Sequence, residues 1–386
     1  MCSKKKRFIA LIAIAVLCLA FNFAGRPSIA ETGGESDAKP EVDYSDWDEY
    51  FEKIRAVSPQ MNENSAEELV GSIAEGEHAD IEEMLGALLK IFVPTLKRSL
   101  ERIAGVFALA VLTGVVSTAF GGDDGIGKTL VVILTVAAAA AMAAEFASLA
   151  KSASDAASSL SAFTETVSPT LTILLLGTGY TGSSALLSSR FAMLANGISI
   201  IMRSIILPLS VLSGVLSAVN GVSDLMNFER AIKLIARSIK WIIGLITTVF
   251  TAAVVLGGAA SGTSDGVSVR AARYAVDRML PAGGALITGT VQTAGAGALA
   301  VKNAAGITAI VLLVGILITP LTELAGGMAA FRLAAAFCEP FSDEKLPRML
   351  DGAADSVGYM LSALAAGAAM FTLSAVMVIL LGSAVI

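Results

Sequence analysis

Two stretches of this chain have the spacing of phosphate-binding loops. Gly122-Asp-Asp-Gly-Ile-Gly127-Lys128-Thr129 fits GxxxxGK[ST]. In that motif, backbone N–H groups and the lysine cradle phosphates, and the hydroxyl holds magnesium. Gly177-Thr-Gly179-Tyr-Thr-Gly182 fits GxGxxG, the turn that meets a dinucleotide pyrophosphate. Neither has the context its chemistry needs. The first would place Asp123 and Asp124 in an anion cradle, between runs long enough to be membrane spans, with no apolar strand ending in Asp. The second could take Thr172 to Leu176 as its strand, but positions 198 to 204 supply only Arg203 where an acid is required. Residues 122–129 therefore read as a tight polar turn, with Lys128 at the membrane surface. Residues 177–182 read as a Gly-broken membrane segment. Irregular backbone at membrane depth survives only where protein or water covers it, so this stretch could line a cavity.

The remaining chemistry is sparse. The chain has one His and three Cys, which excludes most metal sites and most His-based catalysis. His78 sits among acids on a polar stretch and reads as solvated surface. No carboxylate pair, Ser/His set or ligand cluster at catalytic spacing falls in a span. We assign no catalytic, cofactor-binding or metal-binding residue. Glu145, Arg203 and Glu323 are ionisable groups inside or near the ends of apolar runs. Such residues are costly in lipid and usually face a bundle interior or water. They are the candidate pore or bundle-interior residues. Snorkelling at span ends is the alternative for Glu145 and Glu323. Arg203, about a third of the way into its run, most needs an explanation.

Composition explains the scarcity. Of 386 residues, 55% are hydrophobic and 16% charged, against about 25% charged in soluble domains. Mean hydropathy is +0.75. A chain this poor in charge cannot cover a globular surface with solvated groups. A soluble enzyme, a disulfide scaffold and a nucleic-acid binder are all disfavoured, and a polytopic helical membrane protein is expected. No basic cluster is interleaved with aromatics, so nucleic acid is not an implied partner. The charge is also sorted. Residues 31–90 hold 17 acids and 4 basic residues, which leaves +7 on the other segments of a chain whose net charge is -6.

Three regions follow. Residues 1–30 read as a signal peptide: Lys4, Lys5, Lys6 and Arg7, an apolar run from Phe8 to Phe23, and Ser28-Ile29-Ala30 before the cleavage point. An uncleaved anchor is the alternative, and either way Glu31 onward faces outside. Cleavage would remove Cys2 and Cys18 and leave Cys338 alone, so no intramolecular disulfide could form. Residues 31–102 form an acidic, helical extracytoplasmic segment. It has a short helix from Asp46 closed by Pro59, and a capping box at Ser65 and Glu68. An apolar stripe follows from Ile81 to Ile103, kinked at Pro94. This small module is expected to lie against the membrane domain or a partner.

Residues 103–386 form the membrane domain, an all-α bundle of six to eight spans. The candidates are 103–120, 130–150, 169–187, 191–219, 241–260, 307–324 and 359–386, with 286–300 ambiguous. Gly, Ala and Ser dominate them and let helix backbones approach closely. Arg230, Lys233, Arg237 and Lys240 share one side of a helix, opposite Ile232, Ile235 and Ile239. This reads as an interfacial basic helix suited to anionic lipid on the cytoplasmic side, provided 169–219 crosses once with a re-entrant half. Packing on the protein's own acidic segment is the alternative. Residues 111–124 and 211–224 match at seven of fourteen positions, as a duplication or as a chance match of apolar sequence.

The second half carries more specific patterns. Met279-Leu-Pro281-Ala-Gly283-Gly284 leads into Leu299-Ala-Val-Lys302-Asn303-Ala-Ala-Gly306-Ile307. Then come Ile318-Thr-Pro320-Leu321, Phe331-Arg332-Leu333-Ala334-Ala335-Ala336, and Glu339-Pro340-Phe341-Ser342-Asp343-Glu344-Lys345-Leu346. In these, and in its leader and acidic segment, the chain resembles the stage III sporulation protein AE family. The resemblance implies a multipass, non-enzymatic subunit of a secretion-like channel complex in the mother-cell membrane around the forespore. It implies other membrane and intermembrane-space subunits and a separate cytoplasmic ATPase as partners. It carries over no catalytic residue and no cofactor. A stand-alone secondary transporter or permease for a small solute is the runner-up, and a nucleotide-hydrolysing membrane enzyme the third reading.

Overall fold

The computed structural model describes residues 43–55, 65–74, parts of 94–116, 125–177, 199–222, 228–279, 284–340 and 345–380, with backbone alone at 125–128 and 255–296. Helices account for nearly all of them: α1 Ser45–Arg55, α2 Ala66–Ala74, α3 Gly125–Gly177, α4 Ser199–Ile201, α5 Leu207–Val222, α6 Glu229–Met279, α7 Gly284–Cys338 and α8 Lys345–Leu380. A π-helical turn, Met202–Ile206, joins α4 to α5. No strand occurs among the described residues.

Among the described residues, five helices are long and apolar enough to cross a membrane: Val132–Gly177, Ser199–Gly221, Glu229–Val254, Gly297–Cys338 and Lys345–Leu380. The expected span at 103–120 lies largely outside the described residues, as does the 111–124 arm of the internal match.

One expectation is corrected. The candidate spans at 130–150 and 169–187 share one helix as far as Gly177. α3 has 53 residues, or about 80 Å at 1.5 Å per residue, far more than the ~30 Å hydrocarbon layer. Pro169 does not end it, because one buried stripe runs through the proline. Ala138, Met142, Phe146, Leu149, Ala153, Leu160, Phe163, Val167, Leu171 and Leu174 are all buried, and their 3.6-residue period keeps one face on the core. The basic stretch 230–240 belongs to a longer helix. It forms the first turns of α6 and continues without a break into the span that starts at Trp241.

α7 and α8 form the central antiparallel hairpin. Arg332 Nη2 lies 3.0 Å from Asp355 Oδ1 near its closed end, and Lys302 reaches Val378 near its open end. α3 runs antiparallel to α7 and α5 antiparallel to α8. Backbones come close enough that glycines are required: a Cβ on Gly352 would collide with Ser217, one on Gly214 with the Phe146 ring, and one on Gly327 with Leu149. This is the small-residue packing expected where lipid supplies no hydrophobic drive between helices.

The N-terminal module docks on this bundle, against α3 and α7. Ser65 Oγ accepts the Glu68 N–H at 3.2 Å and caps α2, as the sequence predicts. Asp48 Oδ1 accepts the Ala66 N–H at 2.8 Å and ties α1 to α2. Trp47 and Phe51 are fully buried. The Tyr50 ring meets Phe163 edge-on at 5.1 Å, and Phe163 in turn meets Phe371 at 5.1 Å. Burial, with the Glu67 carboxylate nearby, pushes the Tyr44 phenol up to about 12 and keeps it neutral. Removing a large buried aromatic costs about 3–5 kcal/mol. Trp47→Ala should therefore release the module, and limited proteolysis would then cut within 43–74 well before the α7–α8 hairpin.

Candidate functional site

The polar groups placed inside apolar helices define the site. α7 carries three charges between Gly284 and Cys338: Lys302, Glu323 and Arg332. Each is used between helices. Arg332 pairs with Asp355 of α8. Glu323 Oε2 accepts the Ser152 hydroxyl of α3 at 2.8 Å. Lys302 is fully buried, and its Nζ donates to Val378 O at 2.7 Å and Ile379 O at 3.3 Å. Those carbonyls lie near the C-terminal limit of the described part of α8. The buried Lys302 side chain thus ties α7 to the α8 backbone from inside the bundle.

Glu323 opens onto a cleft of about 470 Å³ between α3 and α7. Its walls include Ser148, Lys151, Ser152, Asp155, Pro320 and Glu323, and Lys53 of α1 closes one side. Pro320 has no N–H to return to the Ile316 carbonyl, and both residues line the cleft. The Thr322 hydroxyl bonds the Ile318 and Thr319 carbonyls at 2.8 Å each, beside the proline. A second cleft lies at the N-terminal end of α1, against Glu165, Thr166 and Pro169 of α3.

The other expected residues do not converge here. Arg203 is exposed and sits in the π-helical turn. Pro208 follows and has no backbone N–H to donate, and the Leu207 N–H bonds the Met202 carbonyl across the widened turn. No ion pair among the described residues joins Arg203 to Glu145 or Glu323. Glu145 is half-buried on α3, one turn before Leu149. Arg230, Lys233, Arg237 and Lys240 are exposed on α6. Lys233 pairs with Glu229 at 2.9 Å, and Lys240 lies 5.3 Å over the Tyr359 ring. Gly177 is the last described residue of α3, and residues 178–182 lie outside the described residues. In the P-loop match, residues 125–129 form the first turns of α3, and 122–124 lie outside the described residues.

Sequence reasoning missed Lys302 and Ser152 as functional positions. The signal for Lys302 was its isolation: a lone cation deep in an apolar run needs a partner. Ser152 carried no signal, since α3 is rich in serine and only the α3–α7 register singles it out.

Long apolar helices, small-residue crossings and internally paired charges define a polytopic α-helical membrane protein. Residues 64–382 match the family model for stage III sporulation protein AE. That range takes in α2 and every membrane-length helix, so the chain belongs to the stage III sporulation protein AE family. It is similar to the stage III sporulation protein AE of Bacillus subtilis (strain 168), at 26% identity over 229 residues. The alignment covers 59% of this chain and 57% of that relative. No solved structure matches the chain.

Proposed function

We propose that this protein is a non-enzymatic membrane subunit of a sporulation-specific, secretion-like channel complex between mother cell and forespore. The observation that carries the reading is family membership across 64–382, a range that spans the whole bundle. The charges of α7 support it, since each is spent on joining helices rather than left poised on a reactive group. In this reading the chain sits in the mother-cell membrane around the forespore. It assembles with other membrane and intermembrane-space subunits, and a separate cytoplasmic ATPase supplies the energy. Anionic lipid is a further partner, met by Arg230 and Arg237 beside the exposed Trp241. Affinity purification from membranes of sporulating cells should bring down further membrane and periplasm-side subunits. A monomer that supports transport alone would overturn the assignment.

The cleft at Pro320 and Glu323 favours one second reading, a stand-alone transporter, because a membrane-depth carboxylate beside a proline-freed backbone carbonyl offers polar groups to a solute. Gradient-driven uptake by vesicles containing only this protein would support it. The nucleotide-hydrolysing reading has a simpler test. Lys128→Ala should leave sporulation frequency unchanged, whereas loss of the phosphate-cradling lysine would abolish an ATPase.

A further inference from the structure

The polar face of α3 lies level with helix segments that carry no charge at all. Asp355 is the last charged residue of α8, and from Tyr359 to Leu380 none follows. That stretch is about 33 Å long by helical rise, a full hydrocarbon thickness. α6 runs parallel beside it, with Lys240 over Tyr359, and is free of charge from Trp241 to Ser264. Leu245 and Val249 of α6 are exposed, as lipid-facing residues are.

α3 shares this level on the other flank. A Cβ on Gly367 would come within 2.7 Å of Leu160, and Phe163 packs on Phe371. Around these contacts α3 turns outward Ser148, Lys151, Asp155 and Glu165, all exposed. α1 lies along the same face, since Tyr50 Oη approaches Thr166 Oγ1 at 3.4 Å. Its exposed Asp46, Glu49, Glu52 and Lys53 are at the same depth. Two clefts of about 470 and 460 Å³ open beside α1 along this face. Charges at this depth are too costly for lipid and occur where water reaches.

We propose that the α3 flank from Ser148 to Glu165, with Glu323 and the docked α1 helix, lines a water-filled conduit at membrane depth, while the α6 flank faces lipid. The proposal rests on the channel reading for its purpose, but it stands on the register of α3, α6 and α8. The ligand of this surface is water and the hydrated polar solutes it admits. Lys151 and Lys53 flank one cleft, and Asp46, Glu49 and Glu165 the other, so no single charge sign is selected along the face.

The test is cysteine accessibility in membranes from sporulating cells that carry the full complex. The background replaces Cys2, Cys18 and Cys338 by Ser. Single reporters Asp155→Cys and Ser159→Cys should react with a membrane-impermeant thiosulfonate at least about tenfold faster than Leu245→Cys and Val249→Cys, which lipid shields. Equal reaction at all four sites would overturn the proposal by placing this level outside the bilayer. No reaction at 155 and 159 would overturn it by placing them under lipid or protein. Unfolded variants would be recognised by loss of the α7–α8 protease-resistant core, and Ser148→Cys serves as a milder reporter on the same face. The outcome is separable from the channel reading. Fast labelling at 155 and 159 with no co-purifying subunits would leave a water-lined face in a protein that acts alone.

Discussion

Lys302→Ala is expected to be among the most damaging single substitutions in the chain. The side chain is fully buried and bonds two carbonyls near the C-terminal limit of the described part of α8. Truncation leaves a cavity, worth about 2–5 kcal/mol for a large buried side chain. It also removes the hydrogen bonds to the Val378 and Ile379 carbonyls, each worth about 0.5–1.5 kcal/mol net. Release of a buried ammonium from its desolvation penalty offsets part of this. A net loss of about 3 kcal/mol is a reasonable centre for these opposing terms. Lys302→Met separates them, because it keeps most of the volume and removes only the donor. The expected order of thermal stability in mild detergent is wild type, then Met, then Ala. A Met variant equal to or above wild type would show that the buried charge does not stabilise the α7–α8 contact. Gly306 abuts Ile379 near the same helix end, so the open end of the hairpin should loosen first, seen as faster amide exchange around 375–380.

The second large effect pairs two glycines with opposite expected signs. Gly352→Ala places a methyl against Ser217 Oγ and Cβ. Ser217 Oγ already donates to the Ser213 carbonyl at 2.9 Å, so it cannot turn away freely. Overpacking of this kind costs about 1–3 kcal/mol, and here it would push α5 off α8. Gly244→Ala, in the middle of α6, meets nothing within 4 Å. It should stabilise by roughly the helix-propensity difference, about 1 kcal/mol. Thermal scans of the two purified variants check both signs at once. If Gly352→Ala were neutral, the α5–α8 contact would be looser than the glycine implies. The same comparison tests whether the abundance of glycine serves close packing in general or only at particular crossings.

Much of the fold was legible because its signals are local. Apolar length announces a membrane helix without reference to any neighbour, and Ser65 with Glu68 announces a helix start. The continuity of α3 was not legible. Pro169 and the polar stretch Lys151–Thr166 read locally as a break between two spans. The buried stripe continues through both, and only the neighbouring helices make that stripe worth keeping. The basic residues of 230–240 were legible as one helical face, and their continuity with the following span was not. A helix end is decided by caps and contacts, and no stop signal stands between Lys240 and Trp241. At the site, Glu323 was identified from its intrusion into an apolar run. Its bond to Ser152 was not, since 171 residues separate them. Arg203 stood out in the sequence as a charge inside an apolar run, but its place in a π-helical turn was not legible, since such a turn has no reliable sequence signature.

By itself the amino-acid sequence determined the class of this protein: helical, membrane-embedded, with an acidic N-terminal segment. Those properties depend on composition and on period, which are sums over residues and need no partner. The tertiary structure alone decided which scarce charges meet: Lys302 with the α8 backbone, Arg332 with Asp355, Glu323 with Ser152. It also decided that the polar face of α3 lies level with charge-free helices. Pairing depends on helix register, which is set by many small contacts between backbones, such as Gly352 on Ser217 and Gly214 on Phe146. A shift of one turn in any helix would leave the sequence signals unchanged and every one of those pairs broken.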